Sequence, residues 1–237
     1  MTDIGTGRKD TARKAVSYIL GIVLIAVSIN ITKLAELGIA PNSSFPRAIE
    51  AVSGISLGTA TIIINIAMVL VQVVLLRRKF RLLNLLGVPV SMFFGLIIDF
   101  FGTDPNAFGH LMAGIPRPQT YLLKLLCYLV GLVLLSIGVF LYSRVNWIMM
   151  PGDGAAAAIG EVSGKSFGDG KTIIDCIFVG IALVLQLVFL GGLKSFTRNV
   201  VVREGTVLAA VLVGQNVKLL GRLFNKRENG SIKSNER

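Results

Sequence analysis

Long apolar runs separated by short polar stretches set the pattern of this chain. Six runs reach or approach the roughly 20 residues a helix needs to cross about 30 Å of hydrocarbon. They lie at 16–37, 59–76, 82–102, 121–143, 172–193 and 204–221. The pattern predicts an all-α integral membrane protein with six transmembrane helices. Two weaker stretches, 46–57 and 153–166, mix apolar positions with Arg47, Glu50, Glu161 and Lys165. These predict short helices that do not cross fully, because charge in hydrocarbon is costly. No interval between runs is long enough for a second folded domain. The chain therefore divides into an N-terminal segment (1–15), a first membrane unit (16–102), a connecting loop (103–120), a second unit (121–221) and a basic tail (222–237).

The two units repeat one another. Sliding the sequence against itself by 110 positions places Tyr18 and Gly21 on Tyr128 and Gly131, and Pro41 on Pro151. The same shift aligns Val52-Ser53-Gly54 with Val162-Ser163-Gly164, Ser56 with Ser166, Gly58 with Gly168, and Ile63-Ile64-Asn65 with Ile173-Ile174-Asp175. Each copy reads as a long span, a break at proline, a short helix, a Gly-x-Ser-x-Gly turn, a second span, a basic loop and a third span. Three spans per copy predict an inverted repeat, as in many secondary transporters. Were the short helices to cross fully, each copy would have four spans and the repeats would be parallel.

Composition agrees with a lipid environment: 53% of residues are hydrophobic and only 16% charged, with a mean hydropathy of +0.74. That excludes an ordinary water-soluble domain. The net charge of +11 would suggest nucleic acid in a soluble protein, but here the basic residues cluster at span ends and no nucleic-acid partner is expected. With the N-terminus inside, 16 of the 24 Lys and Arg fall on inner segments, so both termini are expected in the cytoplasm. The dissenting loop is 194–203, which an inverted duplication explains. The apolar run 16–37 is longer than a signal-peptide core and is kept as a span.

Candidate chemistry is sparse. The N-termini of the two short helices, at Ser43-Ser44 and Gly152-Asp153-Gly154, are candidates to face a shared cavity and bind an anionic group through free N–H donors. The bland alternative for Asp153 is that it caps its own helix. Lys171 and Asp175 are spaced to pair on one helix face; alternatively Asp175 relays a proton or cation, with Asn65 its polar counterpart. Asp99 reads either as a functional intramembrane acid or as a hydrated interface residue. Gln215 and Asn216 suit hydrogen bonds between helices. The two Gly-x-Ser-x-Gly sequences are not hydrolase elbows, since the only histidine, His110, falls in a loop; Gly160, Gly164 and Gly168 instead suggest close helix approach. Neither Gly-Lys-Ser/Thr sequence completes a phosphate-binding loop. One histidine and two in-span cysteines, Cys127 and Cys176, predict no metal site, no disulfide and no cofactor, and no enzyme is expected.

Leu37-Gly38-Ile39-Ala40-Pro41, Gly54-Ile55-Ser56-Leu57-Gly58-Thr59, Met150-Pro151-Gly152-Asp153-Gly154 and Ser163-Gly164-Lys165-Ser166 together resemble the bacterial YczE/YitT-type multi-pass membrane proteins, particularly the YczE-like branch. The family pattern places an aromatic and an acid shortly after the first proline, where this chain has Asn42-Ser43-Ser44-Phe45. The resemblance implies a bacterial inner-membrane location and transport-related work. The expectation is therefore a small secondary transporter or exporter of an unidentified small solute, embedded in the bilayer and compatible with a homo-oligomer. A substrate-capturing subunit of a larger transporter and a non-transporting scaffold or regulator are the alternatives.

Overall fold

The computed structural model describes residues 4–103, 109, 111–145, 147–190 and 201–235, and among them every regular element is helical. His110 and most of the loop 194–203 lie outside the described residues. Eight α-helices follow in order: α1 (Ile4–Ala35), α2 (Pro41–Ser53), α3 (Leu57–Leu76), α4 (Gly87–Phe100), α5 (Tyr121–Val145), α6 (Pro151–Ser163), α7 (Phe167–Phe189) and α8 (Glu204–Asn235). Among the described residues five segments are long and apolar enough to cross a membrane: Thr11–Ala35, Leu57–Lys79, Leu82–Phe100, Tyr121–Val145 and Phe167–Phe189. The chain is thus a membrane protein. The sixth expected span, 204–221, lies within α8 but is not among the five, because Glu204, Gln215, Asn216 and Lys218 dilute its apolar content.

The two short helices start earlier and end earlier than the apolar pattern suggested. Pro41 and Pro151 occupy the first helical position, where a missing N–H costs nothing, and Gly54 and Gly164 end the helices at φ 74° and 66°. Those left-handed conformations suit glycine. Gly164 is therefore a helix terminator, not a close-contact residue: a Cβ there would meet nothing within 4 Å. Each short helix has 13 residues, about 20 Å at 1.5 Å per residue, so neither can cross the bilayer. Ser56 and Ser166 then cap α3 and α7, each accepting the N–H three residues on. The α2–α3 and α6–α7 pairs are helical hairpins, each turning at a glycine and a capping serine.

The core is built on α1 against α5. Their contacts run in opposite order along the two helices: Ser17 Oγ donates to the Leu141 carbonyl, whereas Cys127 Sγ approaches the Ile31 carbonyl. The helices are antiparallel, and Gly21 and Gly138 form their crossing, where a Cβ on Gly138 would lie 2.9 Å from the Gly21 carbonyl oxygen. Around this axis Tyr18, Ile22, Tyr128 and Leu132 are buried. The hairpins exchange partners. α2 packs on α7, with the Phe45 and Phe178 rings edge to face at 5.5 Å, and α6 packs on α3, with Gln72 Nε2 donating to the Pro151 carbonyl at 3.0 Å. Ile64, Ala155, Ala156 and Ile174 join Phe178 in the core these four helices share. α8 lies along α5, and Asn216 Nδ2 donates to Ser136 Oγ at 3.4 Å, the interhelical role expected of it; Gln215 is exposed.

The closest approach inside a hairpin is at Gly170, where a Cβ would sit 2.0 Å from the Ala156 carbonyl oxygen. Gly170→Ala is expected to cost about 1–3 kcal/mol through forced displacement, read as a lower midpoint in thermal unfolding in detergent. Gly180→Ala, which meets nothing within 4 Å, should leave the midpoint unchanged or slightly raised.

Candidate functional site

The tips of the two short helices meet. A Cβ on Gly152 would lie 3.1 Å from Asn42 Oδ1, which brings the first turn of α2 to the first turn of α6. Neither helix has a side-chain cap at its N-terminus, so two positive dipole ends face one small region. Pro46 lies inside α2 and removes the donor an α-helix would provide to the Asn42 carbonyl. The region therefore offers both donors and an acceptor from the backbone. Ser44 is fully buried and its hydroxyl is committed to the Pro41 carbonyl at 2.6 Å. The Ser43 N–H is likewise taken, by the Ala40 carbonyl at 2.9 Å.

Asp153 does not act as a side-chain cap. Its carboxylate turns to α7 and pairs with Lys171 Nζ at 3.2 Å, and Lys171 also pairs with Asp175 at 3.3 Å across one helical turn. Two carboxylates thus share one ammonium, each group about a quarter exposed. The second contact is an ion pair without hydrogen-bond geometry: Asp175 Oδ1 is buried and accepts no hydrogen bond. Gly154 lines the same turn, where a Cβ would collide with the Gln72 amide at 2.7 Å. Asn65, the repeat partner of Asp175, is half-buried on α3 and outside this cluster.

Asp99 belongs elsewhere. It is 6% exposed, so the hydrated-interface reading fails, and both oxygens are occupied at the start of α3: Oδ1 accepts the Gly58 N–H at 2.7 Å and Oδ2 the Ser56 hydroxyl at 2.6 Å. In the second half the equivalent Ser166 is served locally by Asp169 in a capping box. The first half has Thr59 at that place and takes its acid from α4, which Gly58 and Gly95 allow to come into backbone contact.

Residues 12–222 match the family of unknown function DUF6198. The chain belongs to that family. It is also 24% identical, over 195 residues covering 82% of this chain and 90% of the relative, to the uncharacterized protein YyaS of Bacillus subtilis strain 168. No solved structure matches it.

In this DUF6198 chain a cavity of about 660 Å³ opens beside α6, between Gly154 and Glu161 on one side and Gln72 and Lys79 on the other, with Trp147 at its rim. Moving its lining residues by 110 positions locates the equivalent space in the other half, and that space is filled. Ala158 and Gln72 correspond to Ala48 and Ala182, on which Val201 packs with no exposure. Leu76 corresponds to Gln186, whose Oε1 accepts both the Val201 and Val202 N–H groups at 3.0 Å. Just beyond, Gly205 N–H donates to the Leu37 carbonyl and Arg203 to the Glu36 carbonyl. The Glu36 side chain is held by Lys124 at 2.7 Å and Arg117 at 3.1 Å. Partial burial alone would raise its carboxyl; the two cations outweigh that and hold it below the usual range.

Gln72, Gln186 and Trp147 were not singled out in the sequence. The two glutamines did leave a signal: Gln186 is the lone amide of its apolar run, and Gln72 shares its run only with Asn65. A third cluster, Lys33 and Arg47 around buried Glu50, sits at the junction of α1 and α2. Asp99→Ala is expected to cost about 1–3 kcal/mol, because the Gly58 N–H and Ser56 hydroxyl lose their acceptor in a dry site. Thermal unfolding checks this, and a variant with wild-type stability would return Asp99 to the functional candidates.

Proposed function

We propose that the protein is a small secondary transporter or exporter of the bacterial cell membrane, with two inverted halves moving about the meeting point of α2 and α6. The observation that carries this reading is the juxtaposition of two uncapped helix N-termini between hairpins that exchange partners. Discontinuous helices of this kind hold solutes near the midplane in inverted-repeat transporters. The antiparallel packing of α1 on α5, which are equivalent spans, supports inversion. The Asn216 contact to α5 supports the first part of α8 as a sixth crossing, and the Lys and Arg bias supports cytoplasmic termini. The YczE/YitT-like proline and Gly-x-Ser-x-Gly signatures fall at the helix starts and hairpin turns. Asp153 orients the solute, and Asp175 exchanges a proton or cation: with two carboxylates facing one ammonium, charging or neutralising one carboxylate changes how Lys171 is shared and so how α6 is held against α7.

Single cysteines replacing Lys79 and Thr197, in a background with Cys127 and Cys176 changed to serine, should label from opposite sides of the membrane. Labelling from one side would sink the inverted arrangement. Purified protein in liposomes should then take up at least one member of a panel of labelled anionic, cationic and neutral solutes, and Asp175→Asn should abolish that uptake at normal abundance. Binding without uptake would favour a capture subunit; neither binding nor uptake would favour a scaffold.

A further inference from the structure

On the transporter reading above, we infer that the 660 Å³ cavity beside α6 is a binding chamber for a small organic monoanion, an apolar body bearing one sulfonate- or carboxylate-like group, with Arg81 as counter-charge and Trp147 as the surface on which the body rests.

Three observations carry this. The first is charge. Among the charged residues that line the cavity, Lys79 is neutralised by Glu161 at 3.1 Å, and Arg81 has no acidic partner among the described residues. Gly154, Ala157 and Ala158 form the α6 wall with the flank of that helix, and Asn84 adds an amide. The surplus charge of Arg81 favours one negative charge and disfavours a cation. The second is the rest of the lining, in which Leu76, Leu83 and Met149 accompany the Trp147 indole. Polar and apolar surface are about equal in the lining, which suits a solute with an apolar body and one polar head. The third is the comparison between halves. The equivalent space is filled by the chain's own Val201, with the backbone N–H groups of residues 201 and 202 satisfied by Gln186. The fold closes this cleft at one end and leaves it open at the other, so the cavity is not a packing defect common to both halves.

Trp147 is the only tryptophan, so its fluorescence reports on this chamber. The purified chain in detergent is titrated with three probes of matched ring size: benzenesulfonate, phenyltrimethylammonium and benzyl alcohol. Benzenesulfonate should give a saturable change at concentrations where the other two give none. Arg81→Gln should weaken it about fivefold, the scale of a partly exposed ion pair, while Arg78→Gln, which removes equal charge outside the lining, should not. Equal response to the cation or the alcohol, no saturable response, or equal effects of the two arginine variants would each overturn the inference. Saturable sulfonate binding without uptake into liposomes would keep the chamber and sink the transporter. Uptake of a solute that leaves Trp147 fluorescence unchanged would do the reverse.

Discussion

Hydrocarbon offers no hydrogen bonds, so a backbone broken inside a membrane must find every partner within the protein. Among the described residues the backbone leaves the helix before Pro41 and before Pro151, and contacts from neighbouring helices serve the polar groups there. At the second break the Tyr18 hydroxyl donates to the Ile148 carbonyl, the Tyr142 oxygen accepts the Met150 N–H, and Gln72 donates to the Pro151 carbonyl. At the first break the Gly205 N–H serves Leu37 and Arg203 serves Glu36. The tyrosines that mark the repeat, Tyr18 and Tyr128, are both anchors of this kind, the second donating to Gly205.

The two breaks are satisfied by different means, and the difference places the open space. One is sealed by the segment that leads into α8, which brings its own backbone and the fully buried Val201. The other is held by side chains from α1, α3 and α5, which satisfy the backbone without filling the volume beside α6. A fold whose halves share local geometry but differ in what occupies equivalent clefts has a built-in inequality between its two ends. Any solute path through the centre would meet that inequality first.

The charged groups follow the same economy. Glu50 between Lys33 and Arg47, and Lys171 between Asp153 and Asp175, place carboxylates and cations together where isolated charges would be costly. Asp99, by contrast, is held by dipoles alone, through a backbone N–H and a hydroxyl at the start of α3. That arrangement suits a fixed joint, whereas the shared ammonium of Lys171 suits groups that change partners.

The amino-acid pattern by itself determined the membrane environment, five long apolar helices and the two short helices, because apolar run length, proline and glycine act locally on the backbone. It also determined the Lys171–Asp175 pair, whose four-residue spacing is a property of one helix. Only the tertiary structure decided that Asp153 leaves its own helix end for Lys171, and that Asp99 replaces on α3 the acid its hairpin lacks. It also decided that Gly170 rather than Gly164 is the point of closest approach between α6 and α7, and that Val201 fills one cleft while Trp147 borders an open one. Each of these depends on which helix arrives opposite, across tens of residues of chain, and local periodicity carries no information about that.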